Sequence, residues 1–306
     1  MHTSVPPPTA GAPAPLRLAF VHRREFAPEE AADEPFPAGD REFFSDLVST
    51  AGLPVDDDAF TRGRTVYAAM VSAMLPELAP HDDFDLALLA HATPDAAPGW
   101  PLSRLERSTP RTGLAFAISD QGITSPFAAL RMAVRGIAVQ DARRALVLIT
   151  EQSAVYHRGP IPEELRARHD TGVALVLDAS GELGALECDQ LAGVAPGDVP
   201  ARLATLTPPV ADGTVRPVLI AGAGLARHWA GAPEGYTVHL APDGRPAAGI
   251  WSVLAEQLPD LRRTGRPVLL ADYDARFGYL GWCRLDVAAD GGQAEAGQEG
   301  KRAHAG

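Results

Sequence analysis

The stretch Leu114–Glu151, LAFAISDQGITSPFAALRMAVRGIAVQDARRALVLITE, decides the fold. In order, it predicts a strand over Leu114–Ile118, a tight polar turn over Ser119–Ile123, a helix over Thr124–Val139 and a strand over Ala145–Thr150. Thr124 or Ser125 stands where an N-cap belongs, and Pro126 follows at the first helical position, where its missing N–H breaks no bond. Phe127, Leu130, Val134 and Ile137 recur at helical spacing, while Ala128, Ala129 and Ala133 let a neighbour approach closely. A helix that follows directly from a strand points its unpaired N–H groups at the turn, a place suited to a nucleophile or an anion. Here that turn offers only Asp120, Gln121, Gly122, Ile123 and Thr124, a poor set for chemistry.

A second stretch repeats the pattern. Tyr236–Ala241 reads as a strand, Pro242–Arg245 as a turn, Ala247–Leu258 as a helix and Pro267–Ala271 as a buried strand. Setting Gly122 over Gly244 without gaps places Phe116-Ala117-Ile118 over Val238-His239-Leu240. It also places Leu146 over Val268, each 24 residues after its glycine. Such repetition implies two related halves, each an apolar sheet with helices on both faces.

Outward from these units, Leu16–His22 and Phe84–Ala92 read as strands, Arg41–Ala51 as a short helix, and Asp57 or Asp58 as the cap of a helix reaching Leu78. Gly172–Leu177 and Gly184–Asp189 read as a hairpin around Ala179–Glu182. Pro196–Leu206 reads as a short helix, and Pro217–Ala221 and Gly278–Val287 as strands. The Pro/Ala-rich residues 1–15 are expected to form a disordered arm and residues 288–306 a disordered tail, with the halves at 16–165 and 166–287.

Composition narrows the function classes. A net charge of -12 argues against nucleic acid and anionic membranes as partners, since both favour a basic face. No apolar run approaches the length of a membrane span, and the N-terminus lacks the layout of a signal peptide, so a cytoplasmic protein is expected. Cys188 and Cys283 lie far apart with no metal-ligand spacing, and each reads as a small apolar residue in a strand. No metal and no cofactor is expected. Lys301 is the only lysine, which excludes a P-loop lysine, a pyridoxal-phosphate Schiff base and a lysine nucleophile in the folded body.

The order of elements resembles the ketosynthase III branch of the thiolase-fold condensing enzymes. The matching stretches are Asp85–Asp95, Leu114–Glu151, Asp170–Leu177, Gly244–Leu254 and Pro267–Leu285. The resemblance implies a five-layer α/β/α/β/α sandwich of two pseudo-symmetric halves, and a dimer. It also implies a cysteine nucleophile at the N-terminus of the buried helix, with histidine and asparagine from the second half to bind the thioester carbonyl. Carried over by position, the cysteine falls on Ile123, the histidine on Gly222 and the asparagine on Arg245; His228 comes six residues too late. The family's glycine-rich loop corresponds to Asp272–Gly278, where Asp274 and Arg276 would occupy space that substrate uses.

The scaffold is thus expected without its catalytic apparatus, and Claisen condensation through a cysteine thioester is not expected. Thr124 or Ser125 could replace the thiol only with a base beside it, and Asp120 could serve as base or cap. Gly222-Ala223-Gly224 lacks the third glycine of a dinucleotide fingerprint, since Arg227 stands there, and no G-x-S-x-G elbow is present. Tyr156-His157-Arg158 and His91 lie just beyond strand ends and read as loop or core residues.

The expected function is a ketosynthase-III-like protein of fatty-acyl or polyketide-type specialised metabolism, lacking the cysteine. It would bind acyl carrier protein or acyl-CoA, as a homodimer or as a heterodimer with an active ketosynthase, in the manner of a chain-length factor. The alternatives are an acyltransferase moving an acyl group from a carrier to an alcohol or amine without a cysteine intermediate, and a purely structural subunit.

Overall fold

The structure is a computed structural model and describes residues 17–27, 36–81, 83–99, 101–102, 111–140, 143–208, 210 and 215–289, without the side chains of 111 and 135–140. The expected arm over 1–15, the tail from 290 onward and the side chain of Ile137 lie outside these. The first part of the chain forms β1 (Arg17–Phe26), α1 (Ala38–Thr50), α2 (Tyr67–Leu78), β2 (Asp83–Ala90) and β3 (Arg111–Ile118). The decisive stretch continues as α3 (Ser125–Gln140) and β4 (Arg144–Glu151), followed by β5 (Asp170–Asp178). The second part forms β6 (Gly184–Leu191), α4 (Val199–Leu206), β7 (Val218–Ala221), α5 (Ala223–Ala226), β8 (Thr237–Leu240), α6 (Gly249–Thr264), β9 (Val268–Asp274) and β10 (Tyr279–Val287).

The strands run in the order β3-β2-β4-β5-β1-β6-β10-β9-β7-β8. Read from either edge the order is the same once β6 to β10 are matched to β1 to β5. In each half the outer three strands are parallel and the inner ones antiparallel. Among the described residues the strands of the two halves pair only where Arg17 meets Ala185 and Leu18 meets Gly184. Continuous apolar runs such as Leu146–Ile149 and Val173–Leu177 are buried throughout, as strands covered on both faces must be.

Three apolar clusters hold five layers of structure together. Residues of α3 and α6, including Phe127, Leu130, Trp251 and Leu254, fill the central layer between the two half-sheets. Phe127 and Trp251 meet there with ring centroids 5.3 Å apart, so each half's principal helix packs on the other's. Helix α2 covers the outer face of the first half, and α4 with α5 covers that of the second. The result is the α/β/α/β/α sandwich of two pseudo-symmetric halves.

Four details differ from the sequence reading. Strand β5 pairs with β4 and β1, so the first half extends to Asp178 and not to 165. For the same reason β5 and β6 form no hairpin: β1 lies between them, because an apolar run does not specify its partners. Asp57 and Asp58 begin a short 3-10 turn, Asp57–Thr61, whereas α2 starts at Tyr67, whose N–H donates to Asp95 Oδ1 at 2.9 Å. Finally, the gapless overlay of Gly122 on Gly244 slips the strands by one. Ala145, Val147 and Ile149 face the central layer in β4, as Val268 and Leu270 do in β9, whereas Leu146, set over Val268, faces outward. Glu151 and Asp274 each end their strand and accept the amide two residues before a principal helix. With a period of two, a slip of one reverses every side chain.

Candidate functional site

Gly122, at φ +54°, turns the chain from β3 into the start of α3. Beside it, the Asp274 carboxylate arrives from the end of β9. Its Oδ2 accepts the Ile123 N–H at 3.2 Å, while Oδ1 accepts from Arg276 N at 3.0 Å and Phe277 N at 3.2 Å. A Cβ on residue 122 would overlap that carboxylate, so glycine is required by space as well as by φ. The helix start that would favour an anionic nucleophile or substrate therefore already holds an acid of the chain itself.

The opposite helix start is held the same way. Glu151, at the end of β4, accepts Ala247 N at 2.7 Å and Ala248 N at 3.2 Å at the mouth of α6. Asp272 accepts Leu225 N at 2.9 Å and Tyr273 N at 2.8 Å, holding the short α5. Burial pushes Glu151 up to about 8 and Asp272 up to about 7, although their backbone N–H bonds pull the other way.

These acids account for what stands at the three family positions. Ile123 is 2 % exposed and gives its amide to Asp274. Gly222 has no room for a side chain, since a Cβ would lie inside the Asp272 carboxylate. Arg245 turns toward β1, where it ion-pairs with Glu25; Arg23 of the same strand reaches Glu25 at 2.8 Å and Glu256 at 2.6 Å. The structure thus brings Ile123, Asp274 and Arg276 to one helix start, sets Gly222 at the start of α5 and sends Arg245 elsewhere.

Thr124 and Ser125 do not cap the helix. Their hydroxyls donate backwards, to Gln121 O and Gly122 O at 2.7 Å each, and Gln190 Nε2 donates to Thr124 Oγ1 at 2.9 Å. Asp120 is exposed and accepts from the neighbouring Ser119 hydroxyl, at 3.3 Å. Cys188 and Cys283 face each other across β6 and β10. The Cys188 thiol lies 3.5 Å from Phe127 O, on the flank of α3, and burial raises its pKa.

An apolar pocket of about 370 Å³ opens beside Gly122, Ile123 and Arg276 and runs to Phe44, Leu47 and Val48 of α1 and Pro160–Leu165. A separate polar cleft of about 580 Å³ shares the wall residues Val155, His157, Ile161 and Arg166 with it. Five arginines line that cleft: Arg62, Arg64, Arg158, Arg166 and Arg168. Arg62 and Arg158 pair with Asp56 at 2.8 and 3.2 Å, and Arg168 with Glu163 at 2.6 Å. The Arg64 guanidinium stacks 4.0 Å over Phe36. A third cavity, of about 30 Å³, lies behind Ile123 and is walled by Asp274, Arg276, Tyr273 and His228.

Sequence reasoning set His228 aside, but α5 folds back at once and brings it to the same helix start, edge-on to Tyr273 at 5.2 Å. In the loop from Ala154 to Arg168 it noted only Tyr156-His157-Arg158, read as loop or core residues, and passed over Arg166 and Arg168. Of the residues noted there, Tyr156 is core: its hydroxyl donates to Ala96 O at 3.0 Å and its ring stacks on Phe60 at 4.9 Å. His91 bonds Thr93 O at 2.7 Å beside Tyr67 and is also structural. His157 lines both the pocket and the cleft.

Among the described residues no group of His, Cys, Asp and Glu is arranged to hold a metal ion, and no helix is long and apolar enough to cross a membrane. No protein-family model and no curated protein matches the sequence. Solved structures do match. AbyA1, a tetronic acid condensing enzyme, is 17% identical over 89% of this chain and 99% of its own, with a TM-score of 0.58. ChlB3, an acyltransferase, is 16% identical over 90% of this chain and 98% of its own, with a TM-score of 0.56. The 3-oxoacyl-(acyl carrier protein) synthase III of Pseudomonas aeruginosa is 18% identical over 90% of this chain and 98% of its own, with a TM-score of 0.54. The doubled sandwich built around α3 and α6 is therefore the fold of the thiolase-fold, ketosynthase-III-like condensing enzymes.

Proposed function

We propose that this chain binds the acylated arm of acyl carrier protein or acyl-CoA without forming a cysteine thioester, within fatty-acyl or polyketide-type metabolism. One observation carries the reading: a polar cleft rich in arginine shares a wall with an apolar pocket that reaches Ile123, where Asp274 already occupies the helix start. Arginines at the mouth suit phosphate or the acidic face of a carrier, and the apolar inner pocket suits an acyl chain. The apolar edge strand β3, with Leu114 about half exposed, supports pairing with a second copy or with an active ketosynthase. Incubation with octanoyl-loaded carrier protein should give saturable binding and an unchanged intact mass. An acyl adduct on Thr124 or Ser125 would refute the reading.

A second reading, acyl transfer to an alcohol or amine without a cysteine intermediate, draws on His228. Its ring walls the small cavity behind Ile123, where a base could meet an acceptor hydroxyl or amine. Release of acylated product from octanoyl carrier and an added alcohol, abolished by His228→Ala, would favour transfer over binding alone.

A further inference from the structure

We infer that Cys188 and Cys283 are an oxidative modification site, closing into a disulfide that braces β6 against β10. The chain holds no other cysteine, so each is the other's only intramolecular partner. They stand opposite each other within eight consecutive antiparallel pairs, from Leu280 against Leu191 to Val287 against Gly184. Residues opposite in such a ladder point to the same face, with Cα atoms about 4.5 to 5.5 Å apart. A disulfide spans about 4.4 to 6.8 Å, so the bond asks for side-chain rotation within an unbroken register. That register is fixed by burial: Cys283 and Leu285 face the central layer, while Leu280 and Trp282 face the outer one.

Cys283 is fully buried, whereas Cys188 is partly buried and packs against the same layer. That difference sets the order of steps with a low-molecular-weight disulfide as oxidant. The Cys188 thiolate attacks one of the oxidant's sulfurs, forms a mixed disulfide and expels the other half as a thiolate. Cys283 then gives up its proton and attacks the Cys188 sulfur, and the second half leaves. Two cysteine thiols are oxidised, the oxidant is reduced to two small thiols, and the two protons pass to them. Burial, the neighbouring Cys283 thiol and Asp189 raise the Cys188 pKa, with Arg131 opposing. The first step is therefore slow at neutral pH, and the finished bond is slow to open because Cys188 is a poor leaving group. These are the properties of a brace and not of a fast sensor. The bond ties β6 to β10 around the segment from α4 to β9, beside the α3 backbone at Phe127.

The test uses the full chain with glutathione disulfide as oxidant at about pH 8.5, where an ordinary thiol is half ionised. After unfolding in the presence of iodoacetamide, the intact mass should be lighter by two hydrogens, with neither glutathione nor carbamidomethyl attached. A digest should give one linked peptide pair holding Cys188 and Cys283. The oxidised chain should melt about five to ten degrees above the reduced one, and dithiothreitol should reverse the shift. Cys283→Ser should retain one glutathione on Cys188, and Cys188→Ser should take up none while folded. Carbamidomethylated thiols in the unaltered chain after prolonged exposure would overturn the inference, as would a glutathione adduct that persists there or a bond between two copies. So would a linked chain that melts below the reduced one. If the serine variants do not fold, the mass, linkage and melting of the unaltered chain decide alone.

Discussion

Helices α3 and α6 occupy equivalent places in the two halves, and each begins on a carboxylate supplied by the other half. Asp274 comes from β9 to α3 and Glu151 from β4 to α6, and each accepts the amide two residues before its helix, which makes the two acids counterparts. The surroundings differ. The mouth of α3 borders an apolar pocket and a small cavity, whereas the mouth of α6 is closed around a fully buried Glu151, with Arg245 drawn off to Glu25. One scaffold thus makes two helix starts, and among the described residues the first borders cavities while the second is closed. The acid at the open mouth can be replaced by water when removed; the acid at the closed mouth cannot.

The largest expected effect is on the closed side and on pH. Glu151 and Asp272 are held at about 8 and about 7, above the ordinary 4.5 and 3.8, so the folded chain keeps protons that the unfolded chain has released. Their contribution is complete below pH 3.8 and is lost as pH rises through about 7 and 8. Urea unfolding at about pH 9 should give a stability a few kcal/mol below that at about pH 5. Glu151→Gln should flatten much of that slope, and a stability that climbs with pH would mean these acids are ionised.

The next effect compares the mouths directly. Glu151→Ala leaves two buried amides unpaired and should cost about 3 kcal/mol, against about 1 kcal/mol for Asp274→Ala, where water can enter from the pocket. Equal losses would erase the distinction between open and closed sides. A thiol placed at the open mouth sharpens it further. In Ile123→Cys the neighbouring Asp274 carboxylate opposes the thiolate, and adding Asp274→Ala should speed iodoacetamide alkylation about tenfold by freeing the helix start. No acceleration would mean that Asp274 does not govern the field at Ile123. Smallest is Arg245→Asn, which restores the amide implied by the family resemblance but removes only a partly exposed ion pair. Its cost in thermal unfolding should stay under about 1 kcal/mol.

Much of the scaffold was legible because local rules govern it. Val147 and Leu175 lie in continuous apolar runs that mark strands covered on both faces, and Pro126 marks the start of α3. What escaped is set by distant partners. The membership of β5 depends on pairing with β1, whose Phe20 lies opposite Val176. The acids contact helix starts 96, 47 and 151 residues away, separations at which no spacing rule applies. The absence of a cysteine at Ile123 could be read directly from the residues. The reason Gly222 carries no side chain could not, because the Asp272 carboxylate that fills its space lies fifty positions further on.

The joint between β1 and β6 is only two residue pairs long, so the backbone does little to bind the halves. The exchange of acids does more, and it makes each half depend on the other. A fragment ending near Asp178 would carry α3 with its first amide unanswered and Glu151 with nothing to accept from. The complementary fragment would have the same two faults in reverse. Neither piece should fold on its own, and mixing them should restore both.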